Sequence, residues 1–286
     1  MSTGLTEDSY YARSCAAARD GDLGLAIALL RQDLDEGGFL SETILRESSS
    51  LRVLQGTPEF EELAALSIDR HRRAPRRARL LVEVDEGVPA PYPALVTLHG
   101  HGRDGAASLA GWRAARAQGW LLAAIQASEV LAKGAYGWED EELALRDVGE
   151  QFEVLARTRD IDPRRAVIAG FSLGGRAALH AVLTRRAPAT GLVLYGSAGR
   201  FLREPESVVP LVREFLASGA ALRAYIAVGE HDDLVPAEAH RRLAEVLTEQ
   251  GIPCGFEVVP DVGHDYPEDF APAIRRALAF VESPDV

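Results

Sequence analysis

Residues 165–176 read RAVIAGFSLGGR: a short apolar run, one serine between glycines, then residues that can open a helix. Gly-x-Ser-x-Gly by itself recurs by chance in a glycine-rich chain, so its surroundings decide its meaning. Here 166–169 has strand character and 174–186 has helix character. Strand, sharp turn, helix is the setting of a nucleophile elbow. The turn is so tight that the flanking positions must be small, which Gly170 and Gly174 satisfy, and it lifts the Ser172 hydroxyl clear of the sheet edge. Leu173 opens the helix, and its backbone N–H is expected to face a developing oxyanion with the helix dipole behind it.

A neutral serine hydroxyl is a weak nucleophile. It needs an aligned base, and the base needs an acid to fix its tautomer and stabilise its charged form. Two later strand-like runs end in suitable residues: AYIAVGEHDDLVP supplies Asp232 and FEVVPDVGHDYP supplies His264. The order Ser172, Asp232, His264, each just past a strand, is the order of an α/β-hydrolase. Asp233 stays open as the acid, because adjacent carboxylates project differently and sequence does not measure that. His231 and His240 are rival bases. His240 falls in a helical stretch with Glu238 and Arg241, where a solvated face is expected, and His180 lies inside the helix after the elbow. Asp265 reads as a surface acid. The loop LVTLHGHGRDG offers the other oxyanion donor: Gly100 and Gly102 allow close backbone approach and leave the N–H of His101 free to donate. His99 reads as structural. The spacing of this loop matches neither common phosphate-binding glycine motif, which argues against nucleotide binding.

Working outward, strand-length apolar runs at 80–84, 94–98, 120–125, 166–169, 191–195, 222–228 and 256–259 alternate with helical patterns at 105–117, 140–158, 174–186, 206–218, 236–250 and 268–282. Runs apolar at nearly every position suit strands covered on both faces. The alternation predicts an α/β fold, a doubly wound and mainly parallel sheet with its reactive groups at the carboxyl ends of the strands.

The first 69 residues differ. Apolar and alanine positions at helical spacing, broken at Gly21-Asp22, predict a helical hairpin, and shorter helical pieces follow around Pro58. Residues 70–79 hold six arginines and read as an Arg-rich linker. The preceding segment carries 13 acidic residues and five arginines, so the run can also dock on its acidic neighbour.

The length, 286 residues, suits one large α/β domain with an appendage. A net charge of −12 disfavours nucleic acid as a partner. Only Cys15 and Cys254 are present, without metal-ligand spacing, which suits small buried side chains and a reducing, cytoplasmic setting. No apolar run is long enough to span a bilayer, and the start lacks a secretory pattern.

Residues 80–286 resemble the α/β-hydrolase superfamily, closest to the phospholipase/carboxylesterase group that includes acyl-protein thioesterases, with dienelactone hydrolases nearby. His99-Gly100-His101-Gly102, Gly170-Phe171-Ser172-Leu173-Gly174-Gly175, Gly229 through Asp232 to Val235-Pro236, and Gly263-His264 carry the resemblance. It implies a serine esterase acting on carboxylic esters or thioesters through an acyl-enzyme, with no cofactor and no metal. It favours Asp232 over Asp233 through Asp-x-x-Val-Pro, and it assigns backbone oxyanion donors at His101 and Leu173. Leu173 stands where that group commonly has glutamine. The segment bearing a substrate-side aromatic is matched only loosely by Ala135-Tyr136-Gly137-Trp138-Glu139, which leaves Tyr136 and Trp138 as pocket candidates. A peptidase or acyltransferase with the same three residues, and a non-catalytic interaction protein, are the alternatives. Residues 1–69 resemble a tetratricopeptide-type helical segment. A lone repeat buries little of its own apolar face, so it is expected to pack on the hydrolase part, on a second copy or on a protein partner.

Overall fold

The computed structural model describes residues 5, 6 and 8–283. Positions 1–4 and 7 of the expected helical segment and 284–286 of the expected hydrolase domain lie outside the described residues. In chain order, four helices come first: α1 (Tyr10–Arg19), α2 (Leu23–Asp35), α3 (Glu42–Glu47) and α4 (Pro58–Arg73). Then follow β1 (Arg79–Glu83), β2 (Tyr92–Leu98), α5 (Gly105–Trp112), β3 (Leu121–Gln126), the hairpin β4 (Glu129–Ala132) and β5 (Ala135–Gly137), and α6 (Glu141–Thr158). The last part runs β6 (Ile161–Phe171), α7 (Leu173–Leu183), β7 (Gly191–Tyr195), α8 (Arg200–Arg203), α9 (Val209–Ala217), β8 (Arg223–Gly229), α10 (Ala237–Glu249), β9 (Cys254–Val259) and α11 (Ala271–Glu282).

Chain contacts divide the protein into two compact units. The larger comprises 78–100, 105–127 and the chain from Trp138 onward. Its seven strands lie in the order β1-β3-β2-β6-β7-β8-β9, all parallel neighbours except the antiparallel β1–β3 pair. Each of the seven apolar runs supplies one strand. β2, β3 and β7 are buried along almost their whole length, as a sheet covered on both faces requires. Leu98 pairs with Gly170, Phe171 with Tyr195, and Gly229 with Val259, so the carboxyl ends of β2, β6, β7, β8 and β9 reach one edge together. Connections leaving that edge can converge on a single site.

The smaller unit holds the described residues up to Arg77 together with His101–Asp104 and Ser128–Gly137. Its helices form because their ends are capped. The Ser9 hydroxyl accepts from Ala12 N (3.1 Å), an Asp22 carboxylate oxygen accepts from Leu25 N (2.9 Å), and Pro58 opens α4. Gly21, at φ 82°, makes the turn between α1 and α2 that its spacing predicts. Ala26, Leu51, Leu54 and Phe60 lie fully inside its core. Part of the expected 70–79 linker is helical instead, because α4 runs on to Arg73. The Arg70 guanidinium donates to the carbonyls of Leu34 and Gly38 at the end of α2, while Arg72 pairs with Glu42 (3.3 Å) and Arg73 with Asp69 (3.0 Å). Much of the basic run is therefore spent on local partners rather than held as a free patch.

Three further expectations are corrected. The helix expected at 206–218 starts as a 3₁₀ turn at Pro205–Val208 and is α-helical only as α9, with the short α8 lying ahead of the expected range. His240 is fully buried, because it shares the inner face of α10 with Leu243, Ala244 and Leu247 at helical spacing. Cys254 is only half-buried, on the edge strand β9, and burial still pushes its thiol up to about 12, so it remains protonated.

Candidate active site

Ser172 sits between the last residue of β6 and the first of α7, with φ 52° and ψ −125°. This region is nearly closed to residues carrying a side chain, and holding one there costs about 1–3 kcal/mol. Main-chain hydrogen bonds sustain it: Ser172 N donates to Tyr195 O (3.2 Å), while Ala198 N and Gly175 N donate to Ser172 O (3.0 and 2.9 Å). The glycine spacing follows from contact. A Cβ on Gly170 would overlap the Gly174 carbonyl, and one on Gly174 would overlap the carbonyls of Leu98 and His99. The same packing brings the loop after β2 over the elbow, since a Cβ on Gly100 would lie 3.5 Å from Ser172 Cβ.

Ser172 Oγ lies 2.9 Å from His264 Nε2, and His264 Nδ1 lies 2.8 Å from Asp232 Oδ2. Asp232 is held from its other side, where Oδ1 accepts from Leu234 N (3.1 Å) and Val235 N (3.0 Å). Its side chain is 1% exposed, against 17% for His264. A carboxylate so fixed orients the imidazole with Nδ1–H toward itself, which leaves the Nε2 lone pair facing the hydroxyl. The imidazole ring stacks 4.9 Å from Phe171, within an aromatic cluster that includes Tyr195, Tyr266 and Phe270.

The remaining candidates separate in space. Asp233, His231 and Asp265 are exposed. The His180 ring pairs with Glu141 (2.5 Å). Buried His240 donates from Nδ1 to Pro236 O (3.3 Å); its Nε2 has no hydrogen-bond partner among the described residues, and burial holds its pKa below the ordinary imidazole value. His99 is a tie: Ala127 N donates to its Nε2 (3.1 Å), which puts the ring proton on Nδ1, facing Gly100 O (2.8 Å). Trp138 is buried against the His99 ring and donates its indole N–H to His99 O (2.8 Å). Arg176, in the first turn of α7, donates to Trp138 O and Glu139 O. Leu173 is the first residue of α7, as the elbow requires. His101 and Tyr136 belong to the smaller unit, His101 exposed and Tyr136 half-buried on β5. Among the described residues, one grouping could bring metal ligands together: Glu230, His231 and Asp261, all exposed, with one ligand atom each within 4.8 Å of the others.

The residues that tie this site down, Trp138 to His99 O and Arg176 to Trp138 O, were not singled out for that role by spacing. A lone tryptophan after Tyr136-Gly137 carries no periodic signal.

Comparison with known proteins now places the chain. The model of the dienelactone hydrolase family matches residues 126–279, more than half of the sequence. The chain belongs to the dienelactone hydrolase family. It is therefore an enzyme of the hydrolase type, and the family shown is the one its motifs set beside the phospholipase/carboxylesterase group. Among curated proteins, none matches this sequence. Among solved structures, an uncharacterized protein from Bacillus cereus ATCC 10987 is 21% identical with a TM-score of 0.60, covering 96% of this chain and 87% of that one. Esterase PE8 (19% identity, TM-score 0.57) covers 72% of this chain and 98% of its own. S-formylglutathione hydrolase FrmB from Staphylococcus aureus (17%, TM-score 0.54) covers 72% and 93%. At these identities the likeness is one of fold. No helix among the described residues is long and apolar enough to cross a membrane.

Proposed function

We propose that this dienelactone hydrolase family member is a serine hydrolase of carboxylic esters or thioesters, with Ser172, His264 and Asp232 as its catalytic triad. The observation that carries the reading is the unbroken series Asp232 Oδ2, His264 Nδ1, His264 Nε2 and Ser172 Oγ, at 2.8 and 2.9 Å, ending on a serine held in a strained backbone conformation. In this scheme His264 Nε2 takes the hydroxyl proton as Ser172 Oγ attacks the acyl carbon. Asp232 stabilises the imidazolium through Nδ1–H. The tetrahedral oxyanion is met by the backbone N–H group of Leu173, at the start of α7. Collapse expels the alcohol or thiol, which takes the proton from Nε2, and water then cleaves the acyl-enzyme by the same route in reverse. Every step uses groups that this chain supplies.

Support for an ester-like acyl group comes from fold neighbours named as an esterase and as an S-formylglutathione hydrolase. A peptidase or acyltransferase would share the first half-reaction and differ in where the acyl group goes. The test is labelling by a fluorophosphonate, with peptide mapping of the adduct, alongside turnover of p-nitrophenyl esters, acyl thioesters and peptide amides. The expected result is an adduct on Ser172 and turnover of esters or thioesters above amides. Absence of labelling on the folded protein would overturn it.

A further inference from the structure

We infer that Tyr266 is the positioning residue for His264, anchoring the loop that carries the imidazole in a slot that Gly111 keeps open; the inference rests on the serine hydrolase reading above. His264 lies between β9 and α11, where residues 261–270 form neither helix nor strand. Its two side-chain bonds, to Asp232 and Ser172, set how the ring is turned. Where the ring sits depends on the main chain to either side. Toward β9 that chain is held at Val262, whose carbonyl accepts from His231 N (2.8 Å). On the other side the first large side chain is Tyr266.

Tyr266 is inserted into the core of the larger unit. Its hydroxyl accepts from the indole N–H of buried Trp112 (3.1 Å), and its ring lies 4.8 Å from Phe171, 5.1 Å from Phe270 and 5.7 Å from Tyr195. Phe171 also carries the His264 ring, at 4.9 Å, so the two rings share one support. Trp112 closes α5, and the residue before it is glycine for a contact reason. A Cβ on Gly111 would fall 2.7 Å from Tyr266 Cε2 and 2.9 Å from Cδ2. Any other residue at 111 must therefore displace the tyrosine ring. All of these residues belong to the larger unit.

His264 Nε2 must stay within reach of the hydroxyl while it takes a proton and later returns it. Misplacing a catalytic group by about 1 Å can cost about 10²-fold in rate. A loop residue bonded to a core tryptophan and packed on three aromatic rings confines that displacement. Tyr266 thus acts through His264, and Gly111 acts through Tyr266.

The experiment uses the full chain. Gly111→Ala drives a methyl group into the Tyr266 ring, and Tyr266→Ala removes the ring. Alanine is the better helix former, so the first variant does not act by weakening α5. Each variant is compared with wild type on a p-nitrophenyl ester well below its thermal transition, with active sites counted by fluorophosphonate titration. A displaced base slows the chemistry and leaves substrate binding alone. The expectation is a fall of at least about fivefold in kcat per titrated site, with KM within about twofold. The proton NMR signal of His264 Nδ1–H, which Asp232 holds, is expected to shift in both variants. A smaller fall in kcat, a loss confined to KM, or an unmoved Nδ1–H signal overturns the inference, even if the melting temperature falls. Should Tyr266→Ala fail to fold, Gly111→Ala decides. Wild type left unlabelled at Ser172 would overturn the serine hydrolase reading and the inference with it, whereas labelled wild type beside unaffected variants overturns the inference alone.

Discussion

Replacing Asp232 by asparagine tests whether the carboxylate works by fixing the imidazole tautomer. In the wild type, Oδ1 accepts two backbone N–H groups, from Leu234 and Val235, and Oδ2 faces His264 Nδ1. An asparagine must choose which end meets the two backbone donors. Turning its NH₂ toward them would give up both of these part-buried hydrogen bonds, at about 0.5–1.5 kcal/mol each. The amide oxygen therefore keeps the backbone and the NH₂ faces His264, with a preference of at least about fivefold at 1.4 kcal/mol per tenfold. An NH₂ donor demands a lone pair on Nδ1, which moves the ring proton to Nε2 and points it at Ser172 Oγ. The base then has no lone pair for the hydroxyl. The loss in kcat is expected to be on the order of 10⁴, equivalent to about 5 kcal/mol, as when an asparagine imposes the wrong tautomer in another triad.

Two measurements check this prediction. Steady-state hydrolysis of p-nitrophenyl acetate gives the rate, with circular dichroism to verify folding. Nitrogen NMR of histidine-labelled protein reads the tautomer, with Nε2 of His264 expected to be unprotonated in wild type and protonated in the variant near pH 8. Asp233→Asn is the control, and because Asp233 is exposed its rate should stay within about twofold. Activity of Asp232→Asn within tenfold of wild type, or an Nε2 lone pair in the variant, would refute the reasoning.

Three other outcomes are expected. Ser172→Gly should abolish hydrolysis yet raise stability by about 1 kcal/mol in urea unfolding, because relief of the strained φ outweighs the added unfolded-state freedom; a lower urea midpoint would mean the elbow stores no strain. The Tyr195 hydroxyl is buried with no hydrogen-bond partner among the described residues, so Tyr195→Phe should be neutral or stabilising by up to about 1 kcal/mol, and a loss beyond that would reveal a bonded hydroxyl. Burial lowers the folded-state pKa of His240 below its unfolded value near 6.5, so the unfolded chain binds the extra proton first. Stability should then fall as pH drops from 6.5 toward the depressed folded pKa, by at most about 1.4 kcal/mol per pH unit from this group. Unfolding free energies at pH 7.5 and 5.5 should show a larger drop for wild type than for His240→Gln; equal drops would count against a neutral buried imidazole.

The larger unit was legible because its signals are local. A strand covered on both faces must be apolar at almost every position, so β2, β3, β6, β7 and β8 stand out as runs. The elbow stands out because backbone collisions at Gly170 and Gly174 leave one permitted residue type at each. Asp232 and His264 follow from strand ends and chain order. His240 misled because one histidine on an amphipathic helix reads alike on either face until the neighbouring helices are known. The β4–β5 hairpin escaped because strands of four and three residues are too short for periodicity, although Lys133-Gly134 between two apolar runs is a turn signal that could have found it.

The grouping of His101–Asp104 and Ser128–Gly137 with the first 77 residues was not legible at all, and the reason is physical. That grouping is made largely by main-chain hydrogen bonds, from Phe39 and Ser41 through Leu131 and Tyr136 to Gly102 and Arg103. Every residue but proline offers the same N–H and C=O, so such pairing leaves almost no mark on residue identity. A side-chain triad announces itself by the residue types its chemistry needs. A main-chain ribbon shows only where a side chain is drafted to finish it, as when Ser67 completes both bonds of Leu40.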